Sequence, residues 1–315
     1  MGCTMVLSSS GVGKAMLAML VGWGDYTCSA MRVSALALPL ALALSLGSCS
    51  LIQQPEPNAA LINLAAQARH EADIYQTPAL KELRAQDAEE LIAEAMRACG
   101  HRDSGEQPET CTYEAIEQDV GEAETDPRQG LELFDVSAQL TLDATPQVPQ
   151  DAMAVLVPQV IDLVKAGAAA PVAGAAQLQP SKELKSQGVK TGDLEADADD
   201  AREALAAEYG ARYGLGVALG YADAAGRQRI SALLESHQQR IDVLEASLEP
   251  TGEVPVAEPA YRFAGTTPSD PSTALEAANM IQDTLTQRYS HLASLARTAS
   301  WRELSTALAA QTAAE

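Results

Sequence analysis

The chain has 315 residues, with 43 acidic against 21 basic side chains and a formal net charge of -22. That balance excludes nucleic-acid binding through a general positive field and leaves surface charge unable to hold the protein on anionic lipid. Apolar residues make up 47% but aromatics only 4%, and alanine and leucine supply most of the rest, so the expected fold class is all-α.

Residues 1–30 hold an apolar patch from Ala15 to Trp23, an acidic Asp25 and the cysteines Cys3 and Cys28. A signal peptide does not carry such a prefix, so 1–30 is expected to be a mis-assigned upstream segment and translation to begin at Met31. Ser10 to Lys14 lacks the first glycine of a phosphate loop and is a chance likeness. Residues 31–48 have the form of an export leader. Arg32 precedes an apolar stretch from Val33 to Leu46, which is long enough for a signal peptide and short for a membrane span.

The leader ends in Leu46-Gly47-Ser48-Cys49, which resembles the lipobox of bacterial lipoproteins. That resemblance implies cleavage before Cys49, a diacylglycerol on its sulfur and an acyl chain on its new amine. Several chains together give lasting attachment, where one would be marginal. The expected location is extracytoplasmic, with the membrane as a partner through the lipid, and residues 49–58 are then a polar tether.

Residues 59–166 form an expected N-terminal helical region. Leu61, Leu64, Ala68 and Tyr75 step along one helix, and Leu80, Leu83, Leu91, Ala95 and Ala98 along a second that ends at Gly100. Removal of the leader and acylation of Cys49 leave Cys99 and Cys111 as a pair, and an oxidising compartment favours their disulfide. The alternative is a zinc site using Cys99, His101 and Cys111, which lacks a fourth ligand nearby. Residues 112–150 read as polar with one apolar run near Leu131–Leu142. Ala152 to Lys165 reads as a helix that Pro158 could kink. Residues 167–192, rich in alanine, proline and glycine, are the expected linker.

Residues 193–315 have the pattern of a helical bundle. Helices are expected from Leu194 to Leu219 and from Ala222 to Leu248. In the second, Ile230, Leu234, His237, Ile241, Leu244 and Leu248 step by four and three. A proline-rich connection from Pro250 to Pro271 follows, and Leu275, Ala278, Gln282, Leu285, Tyr289, Leu292 and Ala296 repeat the stepping. Trp301, Leu304 and Leu308 mark a last helix. Four helices with one long connection describe a ferritin-like bundle.

Three segments carry a further likeness: Ala207 to Gly216 (AEYGARYGLG), the Pro259-Ala260-Tyr261 turn and the helix start from Asp270 to Leu275. Together they resemble the ferritin-like domain of unknown function 4439 family, over about 195–315. Ala98-Cys99-Gly100 and Pro108 to Cys111 look like the segment that accompanies such domains. The resemblance implies an envelope lipoprotein and transfers no activity.

A ferritin-like di-iron site needs single glutamates from two helices and Glu-x-x-His from two others. Glu208 suits the first role. Glu235 and His237 are two residues apart, about 200° around the helix, and do not chelate together. Gln282 is a neutral amide, and Glu303 is followed at i+3 by Thr306. Glu208, His237 and Gln282, with Arg212 as a neighbour, are therefore expected to form a polar core cluster or, alternatively, a reduced metal site for iron, manganese or zinc. Tyr209, Tyr213, Tyr261 and Tyr289 read as packing aromatics. Gly210, Gly214, Gly216 and Gly220 read as points of close helix approach. The acidic run Asp193 to Asp200 reads as complementing the start of its own helix. No catalytic residue and no cofactor is assigned. The leading expectation is a non-enzymatic envelope protein acting structurally or through a protein partner, and the alternative is a metal or redox protein built on Glu208 and His237. A solute-binding role is disfavoured because bundles of this kind lack an obvious cleft.

Overall fold

The computed structural model describes residues 55–102, 104–127, 131–167, 191–262 and 267–315. The upstream segment 1–30, the leader 31–48, Cys49, most of the tether and the 168–190 part of the linker lie outside the described residues. Secondary structure among the described residues is helical throughout: α1 (Ala59–Ile74), α2 (Pro78–Cys99), α3 (Tyr113–Glu122), α4 (Leu131–Ala144), α5 (Met153–Gly167), α6 (Thr191–Tyr221), α7 (Ala224–Leu248), α8 (Pro271–Leu295) and α9 (Ala299–Ala314).

Local chemistry sets the helix ends. The Asn58 side chain accepts from the Leu61 amide to start α1, and Asp223 does the same for Gly226 at α7. Pro78 and Pro271 occupy first-turn positions of α2 and α8, where a missing N–H costs nothing. At α8, Asp270 and Thr273 form a reciprocal capping box. Gly100, at φ 80°, ends α2 in a backbone conformation that side chains disfavour. The polar 112–150 stretch contains two helices rather than one apolar run: α3 is capped by Thr112 and buries only Ile116 and Val120. That face was too narrow to stand out. Pro158 sits inside α5 without ending it.

Ile52–Glu315 form one compact unit. Its main core draws Leu61, Leu91, Ile116 and Leu156 from the N-terminal region together with Leu205, Leu244, Tyr289 and Trp301 from the later helices. The helices on either side of the 168–190 stretch therefore share apolar contacts. α1 packs on α2, α6 lies against α7 and α8, and α9 lies against both α8 and α5. A smaller cluster of Leu215, Ala218, Ile230, Leu233 and Ala274 closes the far end of the α6–α7–α8 group. Among the described residues no helix is long and apolar enough to cross a membrane.

Candidate functional site

The stepping pattern of α7 and α8 turns His237 and Gln282 inward, and both meet Glu208 of α6 in the bundle interior. Glu208 and His237 are fully buried. His237 Nδ1 lies 2.5 Å from Glu208 Oε2, and its Nε2 lies 3.0 Å from Gln282 Oε1. The Gln282 amide nitrogen is committed elsewhere, donating to Glu315 Oε2 at 2.5 Å. Both imidazole nitrogens thus lie within hydrogen-bonding distance of a side-chain oxygen.

Three residues that the sequence reading did not place here complete the cluster. Arg240, one turn along α7 from His237, is fully buried and donates from Nε to Glu208 Oε1 at 2.7 Å. Its Nη1 donates to Glu315 Oε1 and Oε2 at 3.0 and 3.1 Å. Tyr289 of α8 donates its hydroxyl to Glu208 Oε1 at 2.6 Å. Arg212 is exposed and takes no part, because the inward face of α6 at this level is set by Glu208, Ala211 and Leu215.

The electrostatics follow from this geometry. Burial works against the charge of Glu208, but Arg240, His237 and Tyr289 together outweigh it and hold the carboxyl below its usual range. Burial likewise opposes the Arg240 charge, and the Glu208 and Glu315 carboxylates overcome it and raise its pKa. Burial and the Glu208 charge push the Tyr289 phenol well up, so it stays a donor. Every oxygen of Glu208 is spent on protein donors, with a guanidinium in direct contact. Glu235 and Glu303 are exposed on other faces, and among the described residues no three His, Cys, Asp or Glu side chains converge as a metal-binding group.

A second buried charge cluster lies in the N-terminal region. Arg84 of α2 donates to Glu71 of α1 at 2.6 Å and to Asp87 at 2.5 Å. Gln67 and Ser137 also donate to Glu71, while Gln159 of α5 donates to the Asp87 carbonyl at 3.3 Å. The cluster ties α1, α2, α4 and α5 together. Burial raises the Asp87 carboxyl to about 6, with Arg84 partly opposing. The Cys99 and Cys111 sulfurs are at disulfide distance, with Cα atoms 5.9 Å apart, and His101 is exposed. The zinc alternative there loses its thiolates.

Other assignments change in detail. Of the acidic run, Asp197 serves a different helix from its own. Its carboxylate accepts from the Arg297 and Thr298 amides at 3.0 and 2.7 Å and from the Thr298 hydroxyl at 2.6 Å, so it holds the start of α9. Gly216 and Gly220 are not points of close approach, since a Cβ at either meets nothing within 4 Å. At Gly210 the neighbour is the Tyr261 ring, 3.4 Å from where a Cβ would sit. Tyr209 and Tyr289 pack and hydrogen-bond inside, whereas Tyr213 and Tyr261 face each other at the surface with ring centroids 5.6 Å apart.

The arrangement defines a helical protein with an ion-paired, hydrogen-bonded bundle centre. Residues 201–315 match the family described as Domain of unknown function (DUF4439); the range takes in Ala207 to Gly216, Pro259 to Tyr261 and Asp270 to Leu275, and leaves out Ala98 to Gly100 and Pro108 to Cys111. No curated protein and no solved structure matches the chain.

Proposed function

We propose that the chain is an exported lipoprotein, held at a membrane surface through acylation of Cys49, whose helical body works as a non-catalytic structural or interaction module of the cell envelope. The observation that carries the non-catalytic half is Arg240. A guanidinium on Glu208 fills with a fixed cation the position where a di-metal bundle would need free carboxylate oxygens. The paired Cys99 and Cys111 support an oxidising compartment, and the lipobox-like Leu46 to Cys49 supports the lipid.

Two experiments test the two halves separately. Metabolic labelling with a fatty-acid probe should mark the protein and leave it in the membrane fraction, and Cys49→Ser should lose both label and retention. Persistent labelling of Cys49→Ser would overturn the anchoring. Metal analysis of protein purified without chelator should give far less than one equivalent of iron, manganese or zinc. A stoichiometric metal that disappears in His237→Ala would instead establish the competing reading, a metal or redox protein built on Glu208 and His237.

A further inference from the structure

The centre of the bundle is closed, but the α6–α8 seam opens to solvent where the α7–α8 connection crosses it. The groove there has a volume of about 250 Å³. Its back is α6 at Gly210 and Gly214, which present no side chain, and α8 at Ile281 and Leu285. Tyr213 and Tyr261 stand at one side with their rings inclined by 50°. Two guanidiniums, Arg262 and Arg288, complete the lining, and no Asp or Glu contributes to it.

In a chain with a net charge of -22, a mouth with two arginines and no carboxylate is a local reversal of sign. Arg288 already has a partner, since its Nη1 donates to Glu203. Arg262 has no ion-pair partner among the described residues and is exposed. One positive charge is therefore left over beside an apolar, aromatic wall. The volume exceeds the ~150 Å³ of an apolar cavity that takes benzene and lies below the roughly 300–1,000 Å³ of drug-sized sites. A folded partner or a long peptide segment is too large for it. Tilted aromatic faces favour a flat ring over a flexible chain, because the ring keeps its shape and stacks or meets the tyrosines edge to face.

We propose that this groove binds a small aromatic carboxylate, with its ring system against Tyr213 and Tyr261 and its carboxylate on Arg262. The guanidinium fork matches a carboxylate in two parallel hydrogen bonds, which supplies orientation as well as attraction. A Cβ at Gly210 would sit in van der Waals contact with the Tyr261 ring, 3.4 Å away, and Gly214 lines the groove beside it.

The site does not depend on acylation, so its test stands apart from that of the anchor. Isothermal titration would use the full chain carrying Cys49→Ser, so that neither an acyl group nor detergent competes, with naphthalene-2-carboxylate as probe. Saturable one-to-one binding is expected. Arg262→Glu should weaken it at least about tenfold, as loss of a charge-assisted bidentate pair does. Tyr213→Ala should weaken it by a factor of about three to ten, in keeping with loss of one ring contact. Both residues are exposed, and unchanged melting curves would show that the variants fold. The uncharged naphthalene-2-methanol should bind more weakly and be indifferent to Arg262→Glu. Absence of saturable binding at millimolar probe, equal affinity for the uncharged analogue, or indifference of the carboxylate to Arg262→Glu would each overturn the proposal. Tighter binding of octanoate than of naphthalene-2-carboxylate would overturn the aromatic assignment.

Discussion

Replacing Glu208 by Gln is the most informative single change to the bundle. The carboxylate takes donors from three side chains on two helices: His237 at 2.5 Å, Arg240 at 2.7 Å and Tyr289 at 2.6 Å. The amide keeps the shape but removes the charge, and it turns a nitrogen toward a cluster made of donors. Arg240 then keeps Glu315 as its one carboxylate, and His237 keeps only the Gln282 oxygen. Removing one partner of a buried ion pair costs about 3–5 kcal/mol, mostly as the penalty of the unpaired charge that remains. For a domain near this size, that lowers the melting temperature by roughly 6–20 °C. Urea unfolding of the Cys49→Ser background, followed by circular dichroism, measures the loss directly. The double variant Glu208→Leu with Arg240→Met should be less damaging than the sum of its singles, with a coupling of about 1–3 kcal/mol. A Glu208→Gln midpoint within about 1 kcal/mol of the parent, or additive singles, would refute the ion-paired centre. So would an equal loss of stability on adding a chelator to the parent protein.

Three further outcomes follow from the rest of the molecule. Burial raises the Asp87 carboxyl to about 6, above its value in an unfolded chain, so its contribution to stability is fully present below about pH 4 and lost as pH rises through 6; Asp87→Asn should flatten that part of the stability–pH curve, where the parent falls by about 2–3 kcal/mol. Asp197→Ala removes three hydrogen bonds at the start of α9 and should cost about 2 kcal/mol, with faster hydrogen exchange confined first to the opening turn of α9. Cys99→Ser with Cys111→Ser opens the link between the end of α2 and the start of α3 and should cost about 2–3 kcal/mol, seen as a shift of the urea midpoint that reductant reproduces in the parent.

The sequence carried the elements of the bundle clearly, and parts of its centre. Stepping by four and three along α7 and α8 turns His237 and Gln282 inward because side chains three and four apart share a helix face. Arg240 was not legible for a physical reason. Charged side chains are almost never fully buried without a partner, and its partners Glu208 and Glu315 lie far away in sequence, on α6 and just past α9. Tyr289 fell on the seam and read as packing, since nothing local shows that its hydroxyl meets Glu208. Arg212 was misplaced because position i+4 from Glu208 is on the same side of a helix in general, yet α6 turns it to solvent. The Glu71, Arg84 and Asp87 cluster joins charges from helices that are separate in the chain, so spacing could not reveal it. The groove escaped for the same reason: it exists because the connection brings Tyr261 over Gly210.

The hydrogen-bond network explains why the bundle centre holds together without a free carboxylate. The buried Arg240 guanidinium bridges two carboxylates, Glu208 and Glu315, and a second route between the same two runs from Glu208 through His237 and Gln282 to Glu315. A bundle that binds two divalent ions also balances carboxylates against positive charge, but there the cations exchange with solvent and the carboxylates must be able to release and rebind them. Here the cation is covalently part of α7, and the Arg240 guanidinium fixes its hydrogen-bond directions along with its charge. The result sets the register of α7 against α6 and α8, since sliding α7 by one turn would place Arg240 where His237 now meets Gln282 and leave Glu208 with the wrong donor. Registry of this kind is a well-attested use of buried ionic groups, even where an apolar core would be equally stable. It accounts for a polar centre among helices whose core is otherwise apolar.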